Sequence, residues 1–79
     1  MAEYKPQMGL LIDVQNPKDY QLNHHPDSIN IHADHLLVYY KKYLEKGKKY
    51  YITCHKGFLS RKVVAMLEFL GYDVTQVLP

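Results

Sequence analysis

The chain has 79 residues, 47% of them hydrophobic and 23% charged, with one cysteine and a formal net charge of +2. This length allows one small domain, the composition argues against a disordered chain, and a single cysteine excludes an internal disulfide. The small net charge gives no support for nucleic-acid or membrane partners, and with no membrane-length apolar run and no secretion signal we expect a cytoplasmic protein.

The first predicted elements are a buried strand and a short helix. Residues 9–14 form a nearly continuous apolar run, which is typical of a strand buried on both faces of a parallel sheet. Asn16 is a suitable N-cap and Pro17 a suitable first helical residue, so a helix of one or two turns is expected to begin there.

A second strand and a longer helix follow in the sequence. Residues 28–31 alternate between polar and apolar side chains, as a brief strand does. Asp34 is a candidate N-cap for a helix that runs to Leu44, and Gly47 is expected to stop it. The lysines in the range 41–49 are interpreted as a solvated helix end and turn.

The C-terminal half predicts strand, helix and strand. Residues 49–54 are rich in aromatic and β-branched side chains and predict a central strand that ends at the cysteine. Ser60 is expected to cap an amphipathic helix that runs to Leu70, where Gly71 stops it. Residues 74–78 predict the last strand.

Strands and helices thus alternate along the chain. This order predicts an α/β fold, a small sandwich built on a parallel sheet, with right-handed crossovers. Binding groups in such sheets gather at the carboxyl ends of the strands. Asp13 and Cys54 both stand at predicted strand ends, so we expect them on one rim of the sheet.

The segment after Cys54 has the features of a reactive cysteine loop. Gly57 allows the backbone to curl so that successive N–H groups form a concave anion site, and the following helix presents its positive end. Both features favour the nucleophilic thiolate, whereas many lone cysteines are buried and inert. His55, Lys56 and Arg61 add donors or positive charge nearby.

Two stretches resemble the rhodanese family, and the resemblance covers residues 9–78. The stretch 11–31 is similar to the family signature D-V-R … E-[YF] … G-H-I-P-G-A-I-N. The stretch from Cys54 to Ser60 is similar to the active-site loop C-x-x-G-x-[RST]-[ST]. The resemblance implies a rhodanese-like α/β domain spanning residues 1–79, in a minimal form without the usual N-terminal and C-terminal elements.

The family resemblance also implies a reaction. Cys54 would take a sulfane sulfur from a donor such as thiosulfate and pass it to a thiol or cyanide acceptor through a covalent persulfide, without metal or cofactor. A protein thiol is one candidate acceptor. The expected anion-binding loop residues are His55, Lys56, Gly57, Phe58, Leu59, Ser60 and Arg61. Asp13 and His24 are supporting candidates: either could orient groups near the site through hydrogen bonds, but the expected role of each is structural, since a strand-end carboxylate accepts loop N–H bonds and a loop histidine anchors its loop.

Departures from the family pattern leave other functions open. Gln15 stands where the family commonly has arginine, and Leu59 stands where a polar residue is frequent. A non-catalytic rhodanese-like binding or regulatory module is therefore the alternative. Phosphatase or arsenate-reductase chemistry also uses a cysteine before a helix. The resemblance implies that related phosphatases of the same fold carry a loop one residue longer, so six loop positions closing at Ser60 favour sulfur over a phosphoryl group.

Four histidines raise the question of a metal site. On a helix His32 and His35 would share a face, and His24 and His25 lie in the preceding loop. Pro26 interrupts the run and no second cysteine is available. We therefore expect solvated histidines and no metal.

Overall fold

The computed structural model describes residues 4–5 and 8–78. In chain order the elements are β1 (Leu10–Asp13), α1 (Pro17–Leu22), β2 (Ser28–Asn30), α2 (Ala33–Val38), α3 (Tyr40–Tyr43), β3 (Lys49–Thr53), α4 (Phe58–Phe69) and β4 (Asp73–Gln76). The strands form one parallel sheet in the order β2-β1-β3-β4, which confirms the expected α/β fold class. Within the described residues, no helix has the length and apolar character needed to cross a membrane.

The two central strands bury both of their faces, as the apolar runs predict. Leu11 pairs with Tyr51, and both belong to a small cluster on one face of the sheet. The next pair, Ile12 and Ile52, belongs to the main core on the other face. Helices α2 and α4 supply further buried residues to this main core, namely Ala33, Leu36, Val63 and Leu67.

The first helix begins as predicted. Asn16 has extended backbone angles, and its Oδ1 accepts a hydrogen bond of 2.9 Å from the backbone N–H of Asp19. Pro17 occupies the first turn, where its missing N–H leaves no intrahelical bond unmade. This helix leads the chain from β1 towards β2, and its residues Asp19 and Leu22 line a cavity together with the cysteine loop.

The prediction of a single helix from Asp34 to Leu44 is wrong in two respects. The observed helix begins at Ala33, whose N–H donates to the carbonyl of Val14 at 3.1 Å, so the helix start is bound to the segment after β1. Asp34 therefore lies inside the first turn and is not the cap. At Tyr39 the angles φ −109° and ψ 28° break the helix into α2 and α3.

Candidate active site

The predicted rim forms at the carboxyl ends of β1 and β3. Asp13, the last residue of β1, is in register with Thr53, the last residue of β3, and Cys54 follows directly. The chain places β2 on one side of β1 and then returns to place β3 on the other. Ligands of open parallel sheets bind where the strand order reverses in this way.

The sulfur of Cys54 is held in a loop of backbone donors. The N–H groups of Gly57 and Ser60 both donate to Sγ at 3.2 Å, and the cysteine is only 5% exposed. The loop ends at the N-terminus of α4, a helix of 12 residues, so the positive end of the helix adds to the field at the sulfur. The sulfur therefore faces two backbone N–H donors and the N-terminal end of a helix.

Gly57 is required by the path of this loop. Its φ of +86° is left-handed, a conformation that residues with a Cβ rarely adopt. A Cβ placed there would lie 2.7 Å from Leu78 Cδ2. The glycine therefore allows the chain to turn back so that its N–H reaches the sulfur.

Ser60 does not cap α4, which corrects the sequence prediction. Gly57 is the N-cap and the helix begins at Phe58, because the left-handed turn aligns the backbone three residues earlier. Ser60 is fully buried inside the first turn, and its Oγ lies 3.3 Å from Cys54 Sγ. The serine thus belongs to the site through both its N–H and its hydroxyl.

Gln76 at the end of β4 is a site residue that sequence reasoning missed. Its Nε2 donates to the carbonyl of Gly57 at 2.7 Å and to Ser60 Oγ at 2.9 Å. The sequence signal is only a polar residue in the predicted last strand, and the structure adds that it is in register with Ile52, two positions before the cysteine. Parallel strands bring such residues to the same edge.

Asp13 is bound to the turn that follows β1. Its carboxylate, 2% exposed, accepts hydrogen bonds of 2.9 Å from both the backbone N–H and the Nε2 of Gln15. Gln15 Nε2 also reaches the carbonyl of Asn23 at 3.1 Å. Asp13 therefore orients Gln15, which lies at the site where the family pattern commonly has arginine, and this side chain is neutral.

His24 lies on the exposed loop between α1 and β2. Its Nδ1 is hydrogen-bonded to the carbonyl of Tyr20, and its ring stacks on that tyrosine with the centroids 3.8 Å apart. The tyrosine hydroxyl in turn donates to Ser28 at 2.6 Å. His24 thus belongs to a hydrogen-bond network within this loop. The same side chain lines a small cavity of about 210 Å³ that is also lined by Cys54.

A larger cavity of about 480 Å³ also opens at Cys54. Its wall includes four of the expected loop residues, His55, Lys56, Phe58 and Leu59. The expected role of their backbone N–H groups as donors to a bound anion stays a prediction. Leu22 of α1 and Phe58 also line this cavity and are 78% and 71% exposed. Arg61 is exposed on α4 and lines neither cavity.

The histidines do not converge with other ligands in the described part of the chain. No group of three or more histidine, cysteine, aspartate or glutamate residues with metal-binding geometry occurs there. His35 Nε2 is instead 2.7 Å from the hydroxyl of Tyr43.

Comparison with known proteins identifies relatives. The family model described as the rhodanese-like domain matches residues 1–78. A rhodanese-related protein from Thermoplasma volcanium is 31% identical, with a TM-score of 0.79 over 90% of this chain and 70% of that one. Reduced CoADR-RHD of Bacillus anthracis is 34% identical, with a TM-score of 0.79, and the match covers 90% of this chain and 13% of that protein. A rhodanese homolog from Thermus thermophilus shares the fold. It is 18% identical, with a TM-score of 0.67, and the match covers 90% of this chain and 77% of that protein. A search of curated proteins finds no match.

Proposed function

The chain belongs to the rhodanese-like domain family, and on that premise we propose that it is a sulfurtransferase whose sulfur carrier is Cys54. The observation that carries the proposal is the pair of N–H groups, from Gly57 and Ser60, that point at Sγ from 3.2 Å. Hydrogen bonds to an anion are stronger than those to a neutral group, so these donors favour the ionised sulfur. An ionised sulfur is the form that attacks a donor.

The proposed reaction has two steps and needs no other reagent. In the first step the Cys54 thiolate attacks the outer sulfur of thiosulfate, an S–S bond forms at Cys54, the S–S bond of thiosulfate breaks, and sulfite leaves with the electron pair. In the second step an acceptor thiolate or cyanide attacks the terminal sulfur, and the Cys54 thiolate is the leaving group. The cysteine is therefore restored after each cycle.

The larger cavity favours a thiol acceptor with an apolar body. Thiosulfate and cyanide are small ions, whereas about 480 Å³ is the volume of a site for a much larger molecule. Leu22 and Phe58 give this cavity apolar walls, and Lys56 and Asp19 add one positive and one negative charge to its lining. A protein thiol fits these features, with its apolar neighbours in the cavity and its sulfur near Cys54.

The test is the intact mass of the purified protein after incubation with thiosulfate, with and without dithiothreitol, beside Cys54→Ser. We expect a gain of one sulfur atom that reductant reverses and that the variant lacks. The acceptor step is then followed separately by adding a thiol to the isolated persulfide. Leu22→Ser shortens this apolar wall without adding a charge that would repel thiosulfate, so it should slow the second step for a thiol with an apolar body and leave persulfide formation unchanged.

One observation favours the alternative of a non-catalytic binding module. Gln15 is neutral and is bound to Asp13 and Asn23, so it supplies no charge for an anionic donor. Under this alternative the same cavity binds a partner without chemistry at sulfur. A folded protein that gains no sulfur, although its Cys54 still reacts with a thiol reagent, would select the binding module over the enzyme.

A further inference from the structure

The side-chain amide of Gln76 binds two atoms of the cysteine loop at once. Its Nε2 is 2.7 Å from the carbonyl oxygen of Gly57 and 2.9 Å from Ser60 Oγ. An amide nitrogen carries two hydrogens, so each acceptor receives one of them. The amide does not touch the sulfur, and it acts on the groups that do.

The hydroxyl of Ser60 has one hydrogen and two acceptors within reach. Its Oγ lies 3.3 Å from the carbonyl of Gly57 and 3.3 Å from Cys54 Sγ. When the cysteine is a thiol, its S–H donates to Oγ, and the hydroxyl hydrogen points to the carbonyl. When the sulfur is ionised, the hydroxyl becomes a third donor to the anion only if its hydrogen turns away from that carbonyl.

We propose that Gln76 is a positioning residue that lets the Ser60 hydroxyl turn its hydrogen to the ionised sulfur of Cys54. The inference rests on the proposed function, in which that sulfur is the nucleophile. After the turn, the Gly57 carbonyl keeps the Gln76 hydrogen and also the N–H of Arg61 at 3.1 Å. Ser60 Oγ keeps the second amide hydrogen. The proton lost by the thiol passes to solvent.

The energetic reason lies in burial. Ser60 is fully buried and Cys54 nearly so, and in such a place an unpaired polar atom is costly. Without the Gln76 amide, the rotated Ser60 oxygen would lose its donor at the moment the sulfur gains one. With the amide present, every buried atom stays paired in both states, and the anion receives its third hydrogen bond without a compensating loss.

The test is the pH profile of Cys54 alkylation by iodoacetamide, followed by intact mass. Cys54 is the only cysteine in the chain, so every thiol adduct reports on it. Gln76→Met keeps the side-chain length and removes both donors. We expect Gln76→Met and Ser60→Ala each to move the half-maximal rate upward by about one pH unit. The double variant should move no further than Ser60→Ala, and Thr75→Val is the control with an unchanged profile.

Two results would overturn the inference. One is an unchanged profile in Gln76→Met, and the other is a Gln76→Met shift of equal size with and without Ser60, since the hydroxyl would then not be the intermediary. Loss of packing alone would lower the melting temperature and leave the pH midpoint in place. The titratable groups that line the cavities at Cys54 are the same in all variants: Asp13, Asp19, His24, His25, His32, His55 and Lys56. Alkylation needs no sulfur donor, so this result stands apart from the outcome of the persulfide test.

Discussion

Replacement of Gly57 by alanine separates the backbone strain of the cysteine loop from its chemical role. A left-handed conformation costs a residue with a Cβ about 1–2 kcal/mol. The added Cβ would also meet Leu78 Cδ2 at 2.7 Å, but this is the end of a side chain that is 39% exposed and can move aside. We therefore expect Gly57→Ala to lower the free energy of unfolding by about 1–2 kcal/mol.

Gly47 is the matched control, because its φ is +89° and a Cβ there meets nothing within 4 Å. Gly47→Ala should cost the same free energy in urea unfolding and leave Cys54 chemistry intact. Gly57→Ala should in addition slow both alkylation and persulfide formation, because relief of its strain turns the N–H away from Sγ. Equal stability loss with undisturbed sulfur chemistry in both variants would refute the role assigned to this loop amide.

Three further predictions concern stability. Gln15→Leu removes one donor from the buried carboxylate of Asp13 and should cost about 1–3 kcal/mol in urea unfolding; no loss would mean that water replaces the amide. Asn16→Ala removes the cap bond to Asp19 and should cost about 1 kcal/mol, seen as a lower melting temperature. Burial raises the pKa of Tyr4 in the folded protein above its usual 10.0. The contribution of this phenol to the free energy of unfolding is therefore fully present below pH 10, where it is neutral in both the folded and the unfolded chain. It is lost as the pH rises from 10 through the raised pKa, because the unfolded chain ionises first. Wild type should therefore lose more stability than Tyr4→Phe in that range, and parallel curves would contradict this.

The sequence predicts the sheet well because its signals are local. The apolar run before Asp13 and the aromatic run before Cys54 mark the two central strands, and alternation with helices predicts their parallel arrangement. From these two points the shared rim follows, since parallel strands end at one edge. The structure places both residues there.

The errors arise where tertiary contacts override local preference. Ser60 is a favourable cap by type, but the positive φ of Gly57 starts the helix earlier and turns the serine inward to the sulfur. Asp34 is likewise a favourable cap, and the bond from Ala33 to the segment after β1 decides the start instead. The role of Gln76 depends on the register between the last two strands, which no local pattern reports.

The site that results relies on dipoles rather than on a buried counter-charge. Among the described residues, the groups hydrogen-bonded to Cys54 Sγ are the N–H groups of Gly57 and Ser60 and the Ser60 hydroxyl. Gln15 holds the place of an arginine as a neutral side chain. Fixed dipoles act over short distances and, when buried, are little affected by salt, whereas an exposed lysine such as Lys56 is screened. The sulfur of this small domain is therefore surrounded mainly by dipoles that its loop holds in place, and the residues that hold the loop matter as much as those that touch the sulfur.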